Sequence, residues 1–482
     1  MNGNQTPVAR NQGNQNPVAR NQGNQNPVAR NQGNQNPVAP VAPVAPVPGH
    51  PSAHPALPVS HPTPPPIDGP GPLHGIRVIE LSHEFGAFAG KLLADSGADV
   101  IVVEPPGGAA PRHRGATASG ASDETIAAGE ASLAWWADNT GKRSVVLDLD
   151  GSESDRIKLR ELIGTADVVL ECDDNGLLAA LGLDHGRLLP TSPSLVWVSI
   201  TPYGQHGPSA GNQMTDLTML AGGGPMWSCG YDDHSLPPVR GGGHQGMRIT
   251  GNHAVMAILT ALVARPEHGG QHIDLSMHAA ANVTTEFASY SWLVGRQIVQ
   301  RQTGRHAAPA PTHSTQVRCS DGRYLNTGVP PRTPAEFEAL QGWMVELELA
   351  DDFSLFSVLA LGAGYELLTL QLILEDPMAG EIFQAGREAV EFIATRLTAH
   401  EVFCGLQSRG IVAGVVWSPD ETLQDPHFVE RGYPTPLHHE QIGRDVVFAG
   451  APIRLTGSPM RVARRAPMVG EHTDEVLGAL KS

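Results

Sequence analysis

The chain has 482 residues and a formal net charge of −17, and 40% of its residues are hydrophobic. This length can supply the core of two or three domains. The acidic balance argues against a nucleic-acid-binding protein, because neutralising phosphates requires a basic surface. The sequence has no run of eighteen apolar residues, so we expect no membrane span.

The cysteines are scattered and form no CxxC pair, at Cys172, Cys229, Cys319 and Cys404. They fit free thiols in a reducing compartment and indicate neither a disulfide framework nor a zinc site. The amino terminus has no apolar segment after a basic start, as a secretory signal would. We therefore expect a cytoplasmic protein without a structural metal.

Residues 1–70 differ in composition from the rest of the chain. They contain four near copies of Asn-Gln-Gly-Asn-Gln-Asn-Pro-Val-Ala-Arg, followed by Val-Ala-Pro triplets and a segment rich in proline and histidine. Such a composition offers too little apolar surface to offset the loss of chain entropy on folding. We predict that residues 1–70 form a disordered tail.

Strand-like and helix-like segments alternate after the tail. The predicted strands are 75–82, 99–104, 144–149, 166–170 and 196–200, with helices at 89–95 and 154–164. This alternation predicts an α/β fold with a Rossmann-like, doubly wound parallel sheet, whose ligands bind beyond the carboxyl ends of the strands. The loop at 83–88 has no GxGxxG pattern, so the sequence gives no support for a nicotinamide cofactor.

A glycine-rich loop precedes an apolar, alanine-rich helix within residues 240–262. Four of the seven residues in 240–246 are glycine. The backbone N–H groups that open such a helix suit an anion or a developing oxyanion, and Arg240 and Arg248 add positive charge. A flexible turn before a core helix explains the same pattern equally well. The stretch contains no Asp, Glu, Ser or Cys that could act as a nucleophile.

The remainder of the chain is predicted to form a smaller domain and then return to the first. We expect Arg265 and Pro266 to end the apolar helix, a strand at 271–275 to follow, and a helix to run to about Val294. Residues 296–410 read as a linker and a smaller α+β domain. The large domain would then consist of residues 71–295 and 411–482, the latter containing a strand at 410–417 and a terminal helix at 473–480.

Eight segments together form a recognisable series. They are residues 73–82, 93–108, 139–149, 203–208, 269–275, 321–324, 425–432 and 466–477. With these segments in this order, the chain resembles the family III CoA-transferases, a group that includes formyl-CoA transferase, carnitine CoA-transferase and 2-methylacyl-CoA racemase.

The resemblance implies a fold and a reaction. It implies a Rossmann-like large domain built from both ends of the folded chain, a smaller domain from its middle, and a dimer of interlocked subunits. The substrates would be an acyl-CoA and a carboxylic acid. In the transferases an aspartate attacks the acyl-CoA carbonyl and passes through anhydride and aspartyl-CoA thioester stages. A glycine-rich loop would stabilise the oxyanions.

Two loops correspond to segments that touch coenzyme A in the family. The first contains His83, Glu84 and Phe85 and departs from the usual Ala-Gly-Pro. The second contains Cys172 and Asp173 within Glu-Cys-Asp-Asp-Asn-Gly, where the family commonly has Glu-Asn-Phe-Arg-Pro-Gly. Carboxylates in the second loop would repel a polyphosphate.

Three basic residues are candidate contacts for the phosphates of coenzyme A. They are Arg112, Lys142 and Arg143, which the resemblance favours for this role. Without the resemblance, all three would be read as solvated surface charges.

The catalytic aspartate of the family has no counterpart in this sequence. Its place falls on or beside Gly246. Asp216 matches a different family position, and Thr215 stands where racemase-like members have a histidine. We interpret Asp216 as a helix N-cap, with a catalytic role as the alternative. His244, within the glycine-rich loop, is the other candidate nucleophile or base.

Three hypotheses follow from this pattern. The chain is the aspartate-lacking subunit of a heteromeric CoA-transferase, or it is a self-sufficient transferase or racemase that uses His244 or Asp216. The third hypothesis is a non-catalytic binding or regulatory partner.

Overall fold

The computed structural model describes residues 69–81, 84–172, 176–328 and 330–480. Its main sheet has six strands in the order β3-β2-β1-β4-β5-β6, and every neighbouring pair is parallel. The strands are β1 (Arg77–Leu81), β2 (Asp99–Glu104), β3 (Arg143–Val146), β4 (Val168–Glu171), β5 (Val196–Thr201) and β6 (His272–Ser276). The predicted Rossmann-like α/β fold is confirmed. Apart from Gly69 and Pro70, the predicted tail lies outside the described residues.

The described residues also form α-helices and short 3-10 helices. The α-helices are α1 (Ala87–Asp95), α2 (Asp123–Ala127), α3 (Leu133–Asp138), α4 (Glu153–Ile163), α5 (Leu177–Ala180), α6 (His185–Leu188), α7 (Asp216–Gly222), α8 (Gln245–His268), α9 (Met277–Val283), α10 (Glu286–Leu293), α11 (Pro334–Glu346), α12 (Phe356–Leu361), α13 (Leu370–Glu375), α14 (Pro377–Ala394), α15 (Ala399–Gln407), α16 (Pro419–Thr422), α17 (Pro426–Glu430) and α18 (Thr473–Ala479). The 3-10 helices are Ala110–His113, Leu189–Thr191, Pro225–Ser228 and Gly362–Gly364.

The central strands are apolar throughout because helices bury both faces of the sheet. Val78 and Val100 point into a core formed with α1, α8 and α9. Their neighbours Ile79 and Ile101 point into a second core, which includes residues of α4 and α18. Successive side chains of a strand point to opposite faces, so a sheet covered on both sides needs continuous apolar strands. The packing of α18 on this sheet brings the end of the chain back to the large domain.

A second, antiparallel sheet organises the middle of the chain. It pairs β7 (Gln316–Arg318) with β8 (Tyr324–Thr327), and β8 with β9 (Ala413–Val415). The prediction that residues 411–482 belong to the large domain is therefore wrong at its start. The hydrogen bonds of β9 and the burial of Ile411 and Ala413 in the core of α11, α14 and α15 assign this segment to the small domain.

A two-stranded antiparallel sheet that the sequence pattern did not predict lies near the end of the chain. Its strands are β10 (Pro434–His439) and β11 (Arg444–Ala449). They are half-exposed and polar on one side, so they carry little of the apolar signal by which buried strands are recognised.

Helix α8 runs beyond the predicted end at Arg265 and Pro266. It continues to His268, and Gly269, with φ of +74°, ends it. Pro266 removes a single backbone hydrogen bond close to the end of the helix, where the loss is small. Among the described residues, α8 is the one helix long and apolar enough to cross a membrane by length and composition. A core helix passes the same test, and one stripe of α8 packs into the large-domain core.

The helix predicted to run to Val294 is two helices, α9 and α10. The hydroxyl of Thr284 donates to the Ala281 carbonyl, and that of Thr285 donates to the Asn282 carbonyl, both at 2.8 Å. Threonine side chains that bond the preceding turn compete with the helical backbone pattern. The interruption follows from this local competition.

A buried histidine lies where the two-stranded sheet packs against α3. His439 is fully buried, with its ring centroid 3.9 Å from that of Trp136. Neither ring nitrogen has a hydrogen-bonding partner among the described residues. Burial, and then the charge of Arg465, lower the pKa of His439 to about 4. The imidazole is therefore neutral in the folded protein at neutral pH.

We predict that His439→Phe reduces the loss of stability in acid. Between the unfolded pKa of about 6.5 and the folded pKa, the unfolded chain binds a proton that the folded chain does not, so stability falls as the pH falls through this window. Each pH unit in the window costs up to about 1.4 kcal/mol. Urea unfolding at pH 7 and pH 5 should show a loss smaller by about 1–2 kcal/mol in His439→Phe than in the unmodified protein. The same loss in both proteins would contradict the assignment. His268→Gln, at an exposed histidine, is the control and should leave the loss unchanged.

Candidate functional site

The order of the strands defines a crevice at the carboxyl edge of the main sheet. The chain order reverses between β1 and β4, which lie next to each other. In a doubly wound sheet, the loops that leave such a pair of strands diverge to opposite faces and open a ligand-binding crevice. The described residues that follow these strands are 84–86 after β1, and Cys172 and Gly176 after β4.

These are the two loops that the sequence analysis assigned to coenzyme A. The structure brings Glu84, Phe85 and Cys172 to this edge, whereas His83 and Asp173 lie outside the described residues. Phe85 and Cys172 are half-buried against the core beneath the crevice. Glu84 forms an ion pair with Arg114 at 2.9 Å. The role of these residues in binding coenzyme A stays a prediction.

Lys142 is fully buried beneath the loop that follows β1. Its Nζ donates to Glu80 Oε1 at 2.9 Å, to the Ala87 carbonyl at 2.8 Å and to Asn139 Oδ1 at 2.8 Å. Burial lowers the pKa of the Lys142 ammonium, and the charge of Glu80 opposes that shift. All three donors of the ammonium are thus in use within the chain.

Arg112 is also fully buried, in a cluster that holds the end of the chain against the sheet. Its guanidinium bonds both carboxylate oxygens of Glu104, at 2.6 and 2.8 Å, and the carbonyl of Pro467 at 2.9 Å. A second ion pair reaches Glu130 at 3.1 Å, and the Trp135 ring lies 3.9 Å from the guanidinium carbon.

The structure does not bring the three predicted phosphate contacts together. Arg143 opens β3 at the amino edge of the sheet, opposite the crevice, and bonds Asp99 at 2.6 and 2.9 Å. Lys142 and Arg112 are buried and bonded to groups of the chain itself, so their charged ends have no surface open to a ligand. The positions of all three therefore argue against the predicted phosphate contacts, because their charges are already balanced inside the protein.

Asp216 is the first residue of α7, 29 residues before the start of α8 in the sequence. Its carboxylate nevertheless lies at the amino end of α8. Its Oδ1 accepts the backbone N–H of Met247 at 3.2 Å, and its Oδ2 accepts Arg240 Nη1 at 3.2 Å. The side chain of Asp216 is 7% exposed. A carboxylate is stabilised there by the N–H groups and dipole of the helix as well as by the guanidinium.

The prediction that Asp216 is a helix N-cap is wrong by one residue. Thr215 caps α7, because its extended backbone lets its hydroxyl accept the N–H of Thr218 while the Thr218 hydroxyl accepts the N–H of Thr215. This reciprocal capping leaves the carboxylate of Asp216, the first helical residue, able to reach α8.

Gly246 and Asp216 occupy adjoining space. A Cβ added to Gly246 would lie 3.0 Å from Asp216 Oδ1 and 2.8 Å from the sulfur of Met219. The position that the resemblance gives to the nucleophile thus has no side chain, and a carboxylate from another helix lies beside it. Asp216 and Arg240 are 24 residues apart, so the sequence carried no local signal for their contact.

His244 is exposed at the mouth of the glycine-rich loop. Its φ is +55°, a left-handed conformation that is uncommon for residues other than glycine, and its side chain caps no helix N–H. The structure therefore brings His244 and Asp216 to the same end of α8, one exposed and one buried. Among the described residues, no group of three or more His, Cys, Asp or Glu could hold a metal ion.

Comparisons with known proteins agree with this architecture. Residues 73–473 match CoA-transferase family III. The chain is 28% identical over 410 residues to the succinyl-CoA:(R)-benzylsuccinate CoA-transferase subunit BbsE of Thauera aromatica, covering 83% of this chain and 92% of that protein. It is 30% identical to the succinate–glutarate CoA-transferase of Agrobacterium fabrum, covering 85% and 96% of the two chains.

A solved structure shows the same fold. The CAIB/BAIF family protein from Brucella suis superposes with a TM-score of 0.67 at 26% identity, covering 86% of this chain and all of that one.

We predict that Lys142→Met strongly destabilises the protein. The substitution removes the ammonium that pairs with the buried Glu80 carboxylate, which should reduce the free energy of unfolding by about 3–5 kcal/mol. Adding Glu80→Gln removes the carboxylate charge and should recover a large part of that loss. Urea unfolding of both variants tests this. The control is Lys158→Met, because the Lys158–Asp155 pair is partly exposed and its removal should cost at most about 1 kcal/mol. Equal losses for the two lysines would contradict the role assigned to Lys142.

Proposed function

The chain belongs to CoA-transferase family III, and from this premise we propose that it transfers coenzyme A between an acyl-CoA and a carboxylic acid as the aspartate-lacking subunit of a heteromeric enzyme. The observation that carries this proposal is the glycine at 246, beside a carboxylate that is already bonded. A partner subunit of the same family would supply the nucleophilic aspartate. The relative from Thauera aromatica, which is named as a subunit, supports this composition.

The mechanism divides the reaction between the two subunits. The partner's carboxylate attacks the thioester carbonyl, and the C–S bond breaks to release the CoA thiolate and leave an acyl-aspartyl anhydride. The thiolate then attacks the aspartyl carbonyl of the anhydride and releases the donor acid. The acceptor carboxylate attacks the resulting aspartyl-CoA thioester and displaces the CoA thiolate, which leaves a second anhydride. The thiolate then attacks the acceptor's acyl carbonyl, which forms the product acyl-CoA and frees the partner's aspartate. This chain would contribute backbone N–H groups at the amino end of α8 to the oxyanions.

The open face of the glycine-rich loop favours the approach of a partner's side chain. A Cβ added to Gly242 or Gly243 would meet no atom within 4 Å. The loop is therefore uncrowded on the side away from Asp216, and a carboxylate from another subunit could reach the first turn of α8 there.

Exposed apolar side chains along residues 256–298 support an extensive subunit interface. On α8 they are Met256, Leu259 and Val263; on and after α10 they are Phe287, Tyr290, Trp292, Leu293, Val294 and Ile298. Large apolar side chains exposed in this number along one stretch of the chain are typical of a protein interface. We propose that an interlocked partner covers it, and that the assembly resides in the cytoplasm, where the four free cysteines stay reduced.

Asp216 provides a second candidate, in which the chain works alone. Its Oδ1 lies next to the position assigned to the nucleophile, as described above. To attack a thioester, however, the carboxylate would have to give up the bond from Arg240, and its present burial limits access. His244 is accessible but has no orienting partner among the described residues. A purely regulatory role rests on the charges of Asp173 and Asp174, which lie outside the described residues.

We predict that the purified chain alone is inactive and that a copurifying family member restores turnover. The assay measures exchange between succinyl-CoA and dicarboxylic acids, with the chain alone and with its partner. In the assembled enzyme, Asp216→Asn should lower kcat by less than about tenfold, because the nucleophile belongs to the partner, whereas replacing the partner's aspartate should abolish turnover.

The same assay identifies the alternatives. The Asp216 mechanism would replace the heteromeric proposal if the chain alone turns over substrate and Asp216→Asn reduces this activity by more than about a hundredfold. Hydroxylamine should then trap the covalent intermediate in the unmodified protein. Loss in His244→Ala would assign His244 instead. Asp233→Asn is the control, since Asp233 is exposed and bonds only the neighbouring Ser235 among the described residues.

A further inference from the structure

Arg248 is an unexpected residue for the first turn of α8. A cation at the amino end of a helix is disfavoured by the helix dipole. Two contacts compensate for this cost. Arg248 forms an ion pair with Asp138, the last residue of α3, and its guanidinium carbon lies 4.4 Å from the ring centroid of Phe88. Neither contact is made to another residue of α8.

Phe88 belongs to the first turn of α1, directly after the loop that leaves β1. It also packs against α8 one turn beyond Arg248, because a Cβ added to Gly251 would lie only 2.8 Å from Phe88 Cδ1 and 3.2 Å from the backbone nitrogen of Ala89. The two helices therefore approach without an intervening side chain, and Arg248 covers the ring at the end nearer the glycine-rich loop.

The contacts of Arg248 close a ring that joins three elements. Asp138 is followed by Asn139, which accepts a hydrogen bond from Lys142, and Lys142 also donates to the carbonyl of Ala87, the neighbour of Phe88. Phe88 then returns to Arg248. This ring of contacts links the start of α8, the end of α3 and the start of α1. A displacement of the glycine-rich loop relative to the loop after β1 would have to break it.

We propose that Arg248 is a positioning residue that fixes the glycine-rich loop relative to the loop after β1. This inference rests on the proposed function, and it adds that one acyl-CoA spans both loops, with its nucleotide at the crevice and its thioester at the start of α8. Arg248 does not touch the substrate. It holds the oxyanion-binding N–H groups at the correct distance from the bound coenzyme, a distance on which the rate of a covalent step depends steeply.

We expect that lysine cannot replace arginine at position 248. A lysine at 248 could keep the ion pair with Asp138, but it has no planar guanidinium to stack on Phe88. A mutation to lysine therefore tests the stacking without removing the charge. Helix α8 supplies a matched control at its other end, where Arg265 pairs with Asp167 at 2.7 Å and has a similar exposure, 26% against 31% for Arg248.

The test compares Arg248→Lys with Arg265→Lys in the assembled enzyme. We expect Arg248→Lys to lower kcat by about 10- to 100-fold while changing the Kd of CoA, measured by calorimetry, by less than about threefold. Arg265→Lys should change neither value by more than about twofold. Phe88→Leu should reproduce the loss in kcat, and the double variant Phe88→Leu, Arg248→Lys should be no slower than either single variant. Equal losses in both lysine variants, an unchanged kcat in Arg248→Lys, or additive losses in the double variant would overturn the proposal.

A second measurement does not depend on catalysis. Amide hydrogen exchange of residues 240–249 and 84–88 should be faster by about tenfold in Arg248→Lys and unchanged in Arg265→Lys. Equal exchange in the two variants would overturn the positioning role. If the amide hydrogen exchange of the assembled enzyme is as expected but the enzyme transfers no CoA, the proposed function is refuted instead. The failure of the positioning role and the failure of the proposed function can therefore be told apart.

Discussion

The buried ion pair between Lys142 and Glu80 is the constraint on which the candidate site depends. Both side chains are excluded from water, so neither charge can leave its partner without a large desolvation cost. The pair joins β1, the segment before β3 and the first turn of α1. It also dictates Gly90, where a Cβ would lie 1.8 Å from Glu80 Oε2 and 2.9 Å from Lys142 Nζ. The buried pair therefore fixes the position of α1, which lies beside the crevice at the end of β1.

The same principle explains how the carboxyl-terminal segment is held against the main sheet. Arg112 satisfies its buried charge with Glu104, and its remaining donors reach the Pro467 carbonyl and Glu130. Glu130 in turn accepts the backbone N–H of Val469 at 2.7 Å. Groups separated by more than 300 residues thus complete one another's hydrogen bonds. A buried arginine of this kind is costly unless all its partners are present, so the carboxyl-terminal segment has a defined place on the sheet.

The sequence was sufficient for the features that depend on local periodicity, and insufficient for those that depend on long-range partners. The strand at 99–104 was predicted to the residue, because a strand buried on both faces is an uninterrupted apolar run. The segments after β1 and β4 were singled out by the family resemblance and not by periodicity, and their contact with coenzyme A stays a prediction. By contrast, Lys142 and Arg112 were read as ligands because a sequence shows a charge without its counter-charge. The cap at Thr215 was missed because hydroxyl geometry decides it. The strand predicted at 410–417 is present as Ala413–Val415, but its pairing with β8 was not foreseen, because sheet pairing has no periodic signature.

Gly246 and the buried Asp216 depend on each other. Any side chain at 246 would press on the Asp216 carboxylate, and the carboxylate in turn uses the N–H of Met247 that a ligand at the start of α8 would otherwise meet. A second carboxylate could approach this end of the helix only if Asp216 stayed neutralised, since two anions at close range repel each other. Arg240 supplies that neutralisation and is itself 36% exposed. The residues that make Asp216 a poor nucleophile are therefore the ones that would let an aspartate from a partner subunit enter the same site.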